Sequence, residues 1–470
     1  MYSHDSTRIK IGDELSDIIY PNQGVKQGCI LSPLLFNIFL SDLPKTLNTM
    51  ENYAPIIGNT TKLNCIIWAD DVIILSESEK GLNNMLERLA TYTEENSMEI
   101  NIEKTKGMIF NKTGKFLRRN FKYKNGNIET VRESKYLGFI LIPSGSISHG
   151  LNDLKARASR ALAHLRNMTG EYFRKETLVT IKLFNTIVRP ILLYMADFWG
   201  CLKTPKNNPI EILQNKFLKQ LLGVQIQTTN IGVLLETGEI PLSIHAKKLC
   251  IKNWSRIAKK RCNSLVQMSY QDAVKENLLW QQRICDDFFT IGLGNIFLAV
   301  NNIKHVENIY FQRATDLFHQ TALAEIKSDK SKLRTYGLLK TDVGYENYLS
   351  EITSINDRTM LTKFRLSNHT LMIEKGRHLG INKYKRHCQF CPDHVEDEFH
   401  FLIICKNFKT HREELFLKAN CAISGFAHFD QKNKFIKLLT HKKIVKEAAR
   451  YLNNTLCIRE FLQKMPKNNS

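Results

Sequence analysis

A chain of 470 residues, 43% hydrophobic and 24% charged, has apolar content enough for about three domains of roughly 150 residues and is not a disordered tract. It has no apolar run of about 18 residues that would span a bilayer. Met1-Tyr2-Ser3-His4-Asp5 lacks the layout of a secretory leader, so an intracellular location, nucleus or cytoplasm, is expected. The net charge of +21, from 67 Lys and Arg against 46 Asp and Glu, puts a polyanionic partner slightly ahead of a merely solvated basic surface. The eleven cysteines are odd in number and mostly scattered, which favours reduced thiols over a disulfide framework.

In chain order, the reading is mixed up to about residue 145. Cys65–Trp68 and Val72–Leu75 are two short apolar runs, a hairpin layout. Leu82, Leu86 and Leu89 predict a helix between Glu77 and Asn96. Tyr136 to Leu141 reads as a strand or hairpin arm. After Ser148 the period becomes helical: Leu151, Leu154, Ala158, Ala161, Leu162 and Leu165 share a face. Leu178, Ile181, Phe184, Ile187 and Val188 form a second stripe, ended or kinked near Pro190. A third helix is capped by Asn208, starts at Pro209, carries Leu213, Phe217 and Leu221, and stops at Gly223. Residues 240–380 look mostly helical. A cysteine-rich segment follows, then one basic amphipathic helix through Phe435, Leu438, Leu439 and Val445. Lys467-Asn468-Asn469-Ser470 is expected to fray.

Three features carry chemistry. Asp70 and Asp71 lie at the tip of the predicted hairpin. Adjacent carboxylates there are either a solvated turn or, between rigid apolar strands with no neighbouring cation, a site for a hard divalent ion. From Lys104 to Lys124 there are eight Lys or Arg and no Asp or Glu, with Phe110, Phe116, Phe121 and Tyr123 interleaved. That pattern suits phosphates with stacked bases. Cys388-x2-Cys391-x8-His400-x4-Cys405 has the spacing of a closed tetrahedral zinc site, so a structural Zn2+ is expected. His387, His394 and His411 are read as bystanders.

Cys65-Ile66-Ile67-Trp68-Ala69-Asp70-Asp71-Val72 resembles the metal-binding motif of reverse transcriptases, with Trp68 where that family usually has Tyr or Phe. Gly24 to Asn37, with Gln27, Gly28, Ser32 and Pro33 as matching positions, is similar to the family's nucleotide- and template-binding motif. Read physically, Gly28 allows a sharp turn, and Ser32 is expected to cap a helix from Leu34 to Leu40. Ile100 to Lys106 resembles the motif whose lysine protonates departing pyrophosphate. Lys104 matches that lysine and is equally readable as one more member of the basic run. Tyr136-Leu137-Gly138 looks like the primer grip, and Arg189 to Tyr194, with Trp199, resembles the thumb. The motif order matches non-LTR, LINE-like retrotransposons, and the Cys/His segment resembles their CCHC zinc segment.

The resemblance implies an α+β chain. A partial reverse-transcriptase palm, an antiparallel sheet with helices, would occupy residues 1–145, a helical thumb-like region 146–250 and a helical connector 251–385. A CCHC zinc segment over 386–412 and a basic helical tail over 413–470 would follow. It implies an RNA-directed DNA polymerase with two Mg2+ ions at Asp70 and Asp71. Lys112, Lys115, Arg118, Arg119, Lys122 and Lys124 would contact an RNA template and a DNA primer or target. A third carboxylate is expected on a strand before Gln27. Asp5 stands too near the start, and Asp13, Glu14 and Asp17 read as a hairpin turn. The two-metal site is therefore expected to be incomplete in a chain truncated before that strand, and the chain alone is expected not to polymerise DNA. No Pro-Asp nuclease core follows Cys405, and no RNase H carboxylate set is evident. The alternative is a non-catalytic RNA- or DNA-binding protein derived from a retrotransposon.

Overall fold

A computed structural model of the chain describes residues 6–20, 24–26, 28–48, 53–205, 207–260, 264–328 and 331–464. Gln27, the first five residues and Lys467-Asn468-Asn469-Ser470 lie outside them. The chain forms two units: Met1–Tyr136 with Leu141–Ser146 and Cys262–Glu276, and Leu137–Ile140 with Ile147–Arg261 and Asn277–Ser470. The architecture is α+β: many helices, with strands that pair only in twos among the described residues. No described helix is long and apolar enough to cross a membrane.

In the first unit, Lys10–Ile11 pairs antiparallel with Glu14–Leu15, so Asp13, Glu14 and Asp17 do occupy an exposed hairpin. Helix α1 (Ser32–Phe39) starts two residues earlier than the apolar pattern suggests, because Pro33 suits a first turn. Ser32 does not cap it. The N-cap is Leu31, and the Ser32 hydroxyl instead donates to the Lys26 carbonyl at 2.6 Å, tying the glycine-rich loop back onto the helix. Strands β1 (Cys65–Trp68) and β2 (Asp71–Ile74) form the predicted hairpin in the register Cys65↔Ile74, Ile67↔Val72 and Trp68↔Asp71. Helix α2 (Glu79–Glu95) is capped by the Ser78 side chain, which accepts from Gly81 N–H at 3.0 Å. Its Met85, Leu86, Leu89 and Tyr92 meet Leu40, Leu43, Leu47 and Cys65 in one core.

Strands β3 (Asn120–Tyr123) and β4 (Gly126–Glu129) add Phe121, Tyr123 and Ile128 to that core. This corrects the stacking reading for Phe121 and Tyr123, two of the four rings of the basic run. Period-two alternation sends Phe121 and Tyr123 inward, where Tyr123 Oη shares a 2.8 Å hydrogen bond with Thr93, and leaves Lys122 in solvent. Strands β5 (Ser134–Tyr136) and β6 (Phe139–Leu141) flank the turn where the chain passes from one unit to the other.

In the second unit, α3 (Ser148–Thr169) buries Leu151, Leu154, Ala158, Leu162 and Leu165 as its stripe predicts. The next stripe is interrupted before Pro190: helix Thr177–Leu183 runs into a π-turn over Phe184–Val188 and then into Arg189–Leu192. The extra residue of that turn shifts the register, so Phe184 and Val188 are buried while Ile187 is exposed. Helix α4 (Pro209–Leu222) has its expected punctuation: Asn208 accepts from Ile210 N–H at 3.3 Å, and Gly223 is left-handed at φ 70°. Phe217 stacks on Phe184 with ring centroids 4.1 Å apart.

The middle of the unit is helical, with α5 (Leu242–Ala258), α6 (Val306–Lys327), α7 (Ile355–Arg365) and α8 (Met372–His378) as its main members. A small hairpin of β7 (His387–Cys388) and β8 (Cys391–Val395) precedes α9 (Lys409–Ala422). The C-terminal apolar pattern is two helices rather than one, α10 (Gln431–Thr440) and α11 (Val445–Lys464). The chain turns extended at His441, which lets Ile444 turn into the core at 1% exposure.

Candidate active site and metal centre

The β1–β2 hairpin presents the carboxylate pair. Cys65, Ile67 and Ile74 pack against the core of the first unit, so strand alternation places Trp68 and Asp71 on the opposite face. Asp70 sits in the two-residue turn behind Ala69, whose φ is +51°, a left-handed value that costs an alanine about 1–2 kcal/mol. Both carboxylates are exposed, and among the described residues neither is paired with a cation. The Tyr136 hydroxyl is pushed to a higher pKa by burial and by the Asp71 charge, so Tyr136 stands near the pair. No third described carboxylate, His or Cys joins Asp70 and Asp71 in a cluster able to hold a metal. Lys104 is exposed on the Asn101–Thr105 turn, where its backbone N–H donates to Asn101 Oδ1 at 3.0 Å. It forms no ion pair with either carboxylate. Gly28 has φ +84° with open space where a Cβ would stand, so its backbone angle, not crowding, calls for glycine.

In the second unit, Leu137 (φ +44°) and Gly138 (φ +79°) form a turn with two left-handed residues, a type I′ geometry. Two side chains clamp it: Tyr194 Oη donates to the Leu137 carbonyl at 2.7 Å, and Arg157 Nη2 donates to the Gly138 carbonyl at 2.8 Å. Arg157 also lies over the Tyr194 ring, 5.7 Å from its centroid. Sequence reasoning picked out Tyr194 in its motif but missed Arg157, which sits between stripe positions of α3.

Lys112, Lys115, Arg118, Arg119, Lys122 and Lys124 are all exposed. Arg119 pairs with Glu79 at 3.6 Å and Lys124 with Glu94 at 3.1 Å. Phe110 is exposed, and Phe116 lies under Arg132, 5.1 Å from the ring centroid.

The Cys/His segment is brought together in full. Cys388, Cys391, His400 and Cys405 are buried, and their ligand atoms all lie within 4.8 Å of one another. The β7–β8 hairpin pairs Cys388 with Cys391. His400 opens a turn begun by Asp397, which accepts its N–H at 2.7 Å. Arg412 Nη1 then fixes the Cys405 carbonyl at 2.9 Å. Both ring nitrogens of His400 are buried, and its ring stands among the three cysteine side chains. Hydrogen bonding from Cys405, with further help from His400, draws the Cys388 thiol down to about 4, and the same contact raises Cys405. Three cysteine thiols, one with a lowered pKa, and a buried imidazole make a four-donor set that fits a tetrahedral zinc ion.

The surroundings of this segment were not legible in the sequence. Glu396 receives Arg459 Nε at 2.6 Å and Met372 N–H at 2.7 Å. Glu398 receives Arg334 at 2.9 Å, Ser367 at 3.1 Å and His369 Nε2 at 2.8 Å. The two glutamates bind the Cys/His segment into the helical unit by buried ion pairs.

In chain order, the first unit thus carries a glycine-rich loop leading into a proline-started helix and then a carboxylate hairpin. Residues 3–141 match the family described as Reverse transcriptase (RNA-dependent DNA polymerase). The chain is 26% identical over 240 residues to a probable RNA-directed DNA polymerase from transposon BS of Drosophila melanogaster, covering 48% of this chain and 25% of that protein. It is 24% identical over 208 residues to the RNA-directed DNA polymerase from mobile element jockey of the same species, covering 43% and 22%. It is 28% identical over 161 residues to the retrovirus-related Pol polyprotein from type-1 retrotransposable element R2 of Nasonia vitripennis, covering 32% and 15%. Residues 3–141 carry the match to a reverse transcriptase domain, and the chain is similar over part of its length to proteins of non-LTR, LINE-type retrotransposons. It spans a quarter or less of the length of these relatives.

Proposed function

We propose that the Asp70-Asp71 turn is part of the nucleotidyl-transfer centre of an RNA-directed DNA polymerase that extends a DNA primer along an RNA template. The observation that carries this is the presentation of two exposed carboxylates, with no cation paired to them among the described residues, on a hairpin rooted in the core and beside Tyr136. That donor set suits Mg2+, which takes carboxylate oxygens and keeps water and phosphate ligands. Asp70 and Asp71 would hold it, and when bound it supplies charge stabilisation for the attacking 3′-hydroxyl and the departing pyrophosphate. Gly28, Ser32 and Pro33, with Gln27, shape the nucleotide and template side, and the Ser32 tie to Lys26 holds that loop against α1. Lys104 offers a proton to the leaving group. Tyr136, Leu137 and Gly138 support the primer end. In this reading residues 1–145 are palm, 146–250 thumb-like, 251–385 connector, 386–412 a zinc knuckle and 413–470 a basic tail. Cys388, Cys391, His400 and Cys405 would hold Zn2+, which cross-links the hairpin to the turn after it and has a structural role.

Mn2+ titrated into the full chain tests the centre, because exposed Trp68 stands two residues from Asp70. Quenching of Trp68 fluorescence is expected, weakened by Asp70→Asn and by Asp71→Asn. Mn2+ affinity unchanged from the parent chain in both variants would overturn the reading, as would primer extension on an RNA template that survives both substitutions.

A further inference from the structure

The second unit holds a cleft of about 720 Å³ that the proposed functions leave unused, within the size range of small-molecule sites. Its wall draws on distant segments: Gln225 and Gln227 after α4, Lys332 after α6, His369 after α7, and Lys375 and His378 on α8. Two carboxylates also line it, and both are occupied. Glu374 takes Arg334 at 2.9 Å and Arg377 at 3.0 Å, and Glu460 accepts the Thr370 hydroxyl at 2.9 Å. Lys332 and Lys375 have no hydrogen-bond or ion-pair partner among the described side chains, and Lys332 is half-buried. His369 is a fixed wall element: its side chain is 1% exposed, Nε2 is held by Glu398, and Nδ1 is buried with no partner. Burial pushes the Lys332 pKa down; Glu374 opposes this, while the nearby Arg377 and Arg334 charges add to it. Burial, with a further push from Lys332, lowers Lys219 as well. The cleft therefore sets two ammonium groups without a hydrogen-bond or ion-pair partner in a partly desolvated wall that also offers neutral amides.

We infer that this cleft is a phosphate-recognition site, with the Lys332 and Lys375 ammonium groups taking phosphate oxygens and the Gln225 and Gln227 amides facing whatever the phosphate is attached to. Two compact point charges with rotatable donors suit a multi-oxygen anion. The phosphate can come from a free ion or nucleotide or from the backbone of a single strand. The inference does not depend on the reading of the Asp70-Asp71 turn, which lies in the other unit.

Hydrogen exchange of the backbone amides in residues 366–379 of the full chain tests it, with inorganic phosphate and a twelve-residue oligo(U) RNA as separate probes at matched ionic strength. Protection by phosphate identifies a site for the free anion, and protection by RNA alone identifies a backbone site. Either protection is expected to be lost in Lys332→Gln and to weaken severalfold in Lys375→Gln, an exposed position whose replacement leaves folding intact. Protection by neither probe, or protection unchanged in Lys375→Gln and in a folded Lys332→Gln chain, would overturn the proposal.

Discussion

Ala69 keeps a backbone angle that glycine adopts more readily, between the strand that ends at Trp68 and the carboxylate at Asp71. Strained turn residues persist where the surrounding structure fixes them, often at functional sites. Ala69→Gly relieves the strain but loosens the chain, so stability is expected to stay level or to rise by up to about 1 kcal/mol, with weaker Mn2+ binding. A clear fall in melting temperature would contradict this. Glu236 is the opposite kind of residue, fully buried and polar. It accepts Arg365 Nε at 2.7 Å and the Tyr336 hydroxyl at 2.7 Å, with the Tyr348 hydroxyl on its other side. Burial alone would raise its pKa, but the Arg365 charge and these hydrogen bonds override it and hold the carboxyl below its ordinary 4.5. Its stabilising effect is therefore complete above that value and is lost as pH falls through the lower folded value. Glu236→Gln is expected to cost about 3 kcal/mol at pH 7 by leaving a buried charge short of its partner. Urea titrations should find a smaller cost at pH 3, and a cost independent of pH would be inconsistent with this account.

The Cys/His segment shows how one element depends on others. Glu396 and Glu398 lie inside it, between Cys391 and His400, and are held by Arg459 of α11 and by Arg334. A metal ion there would stabilise the helical unit as a whole, not a detachable knuckle. Chelation is expected to lower the helical melting transition measured at 222 nm, and Arg459→Ala to cost about 3–5 kcal/mol because Glu396 stays buried. Identical helical melts with and without chelator would rule this coupling out. The Cys/His spacing was readable because its ligands lie close in sequence. So were the cap at Asn208, the stop at Gly223 and the stripe of α3, all set by neighbours within a few turns. The clamping ion pairs were not readable, since Arg334 and Glu398 are 64 residues apart and Glu236 and Arg365 are 129 apart, and nothing local marks either partner. The Ser32 hydroxyl, the break at His441 and the inward rings of β3 failed for a related reason. In each case tertiary packing overruled a sound local pattern.

Across the whole chain the net charge of +21 is a statement about partners, and the structure narrows which cations are free to act on them. In the run from Lys112 to Lys124, Arg119 and Lys124 are drawn to Glu79 and Glu94. Lys112, Lys115, Arg118 and Lys122 are exposed with no ion pair among the described residues. With Phe121 and Tyr123 in the core, Phe110 is the exposed ring of the run, and the run's grip on a strand is expected to be mainly electrostatic. Such contacts release counterions, at about 0.7 per phosphate neutralised on a single strand. Replacing these four residues by Gln is expected to weaken RNA binding about equally across sequences and to flatten the slope of log K against log salt by about three. Fluorescence anisotropy of labelled RNA from 50 to 300 mM salt, conditions chosen so that both chains bind measurably, gives the two slopes. The core beneath the run is untouched by the substitutions, so the melting curves of the two chains should superpose. An unchanged slope would place the phosphate contacts elsewhere on the molecule, and a loss confined to one RNA sequence would mean that the run reads bases.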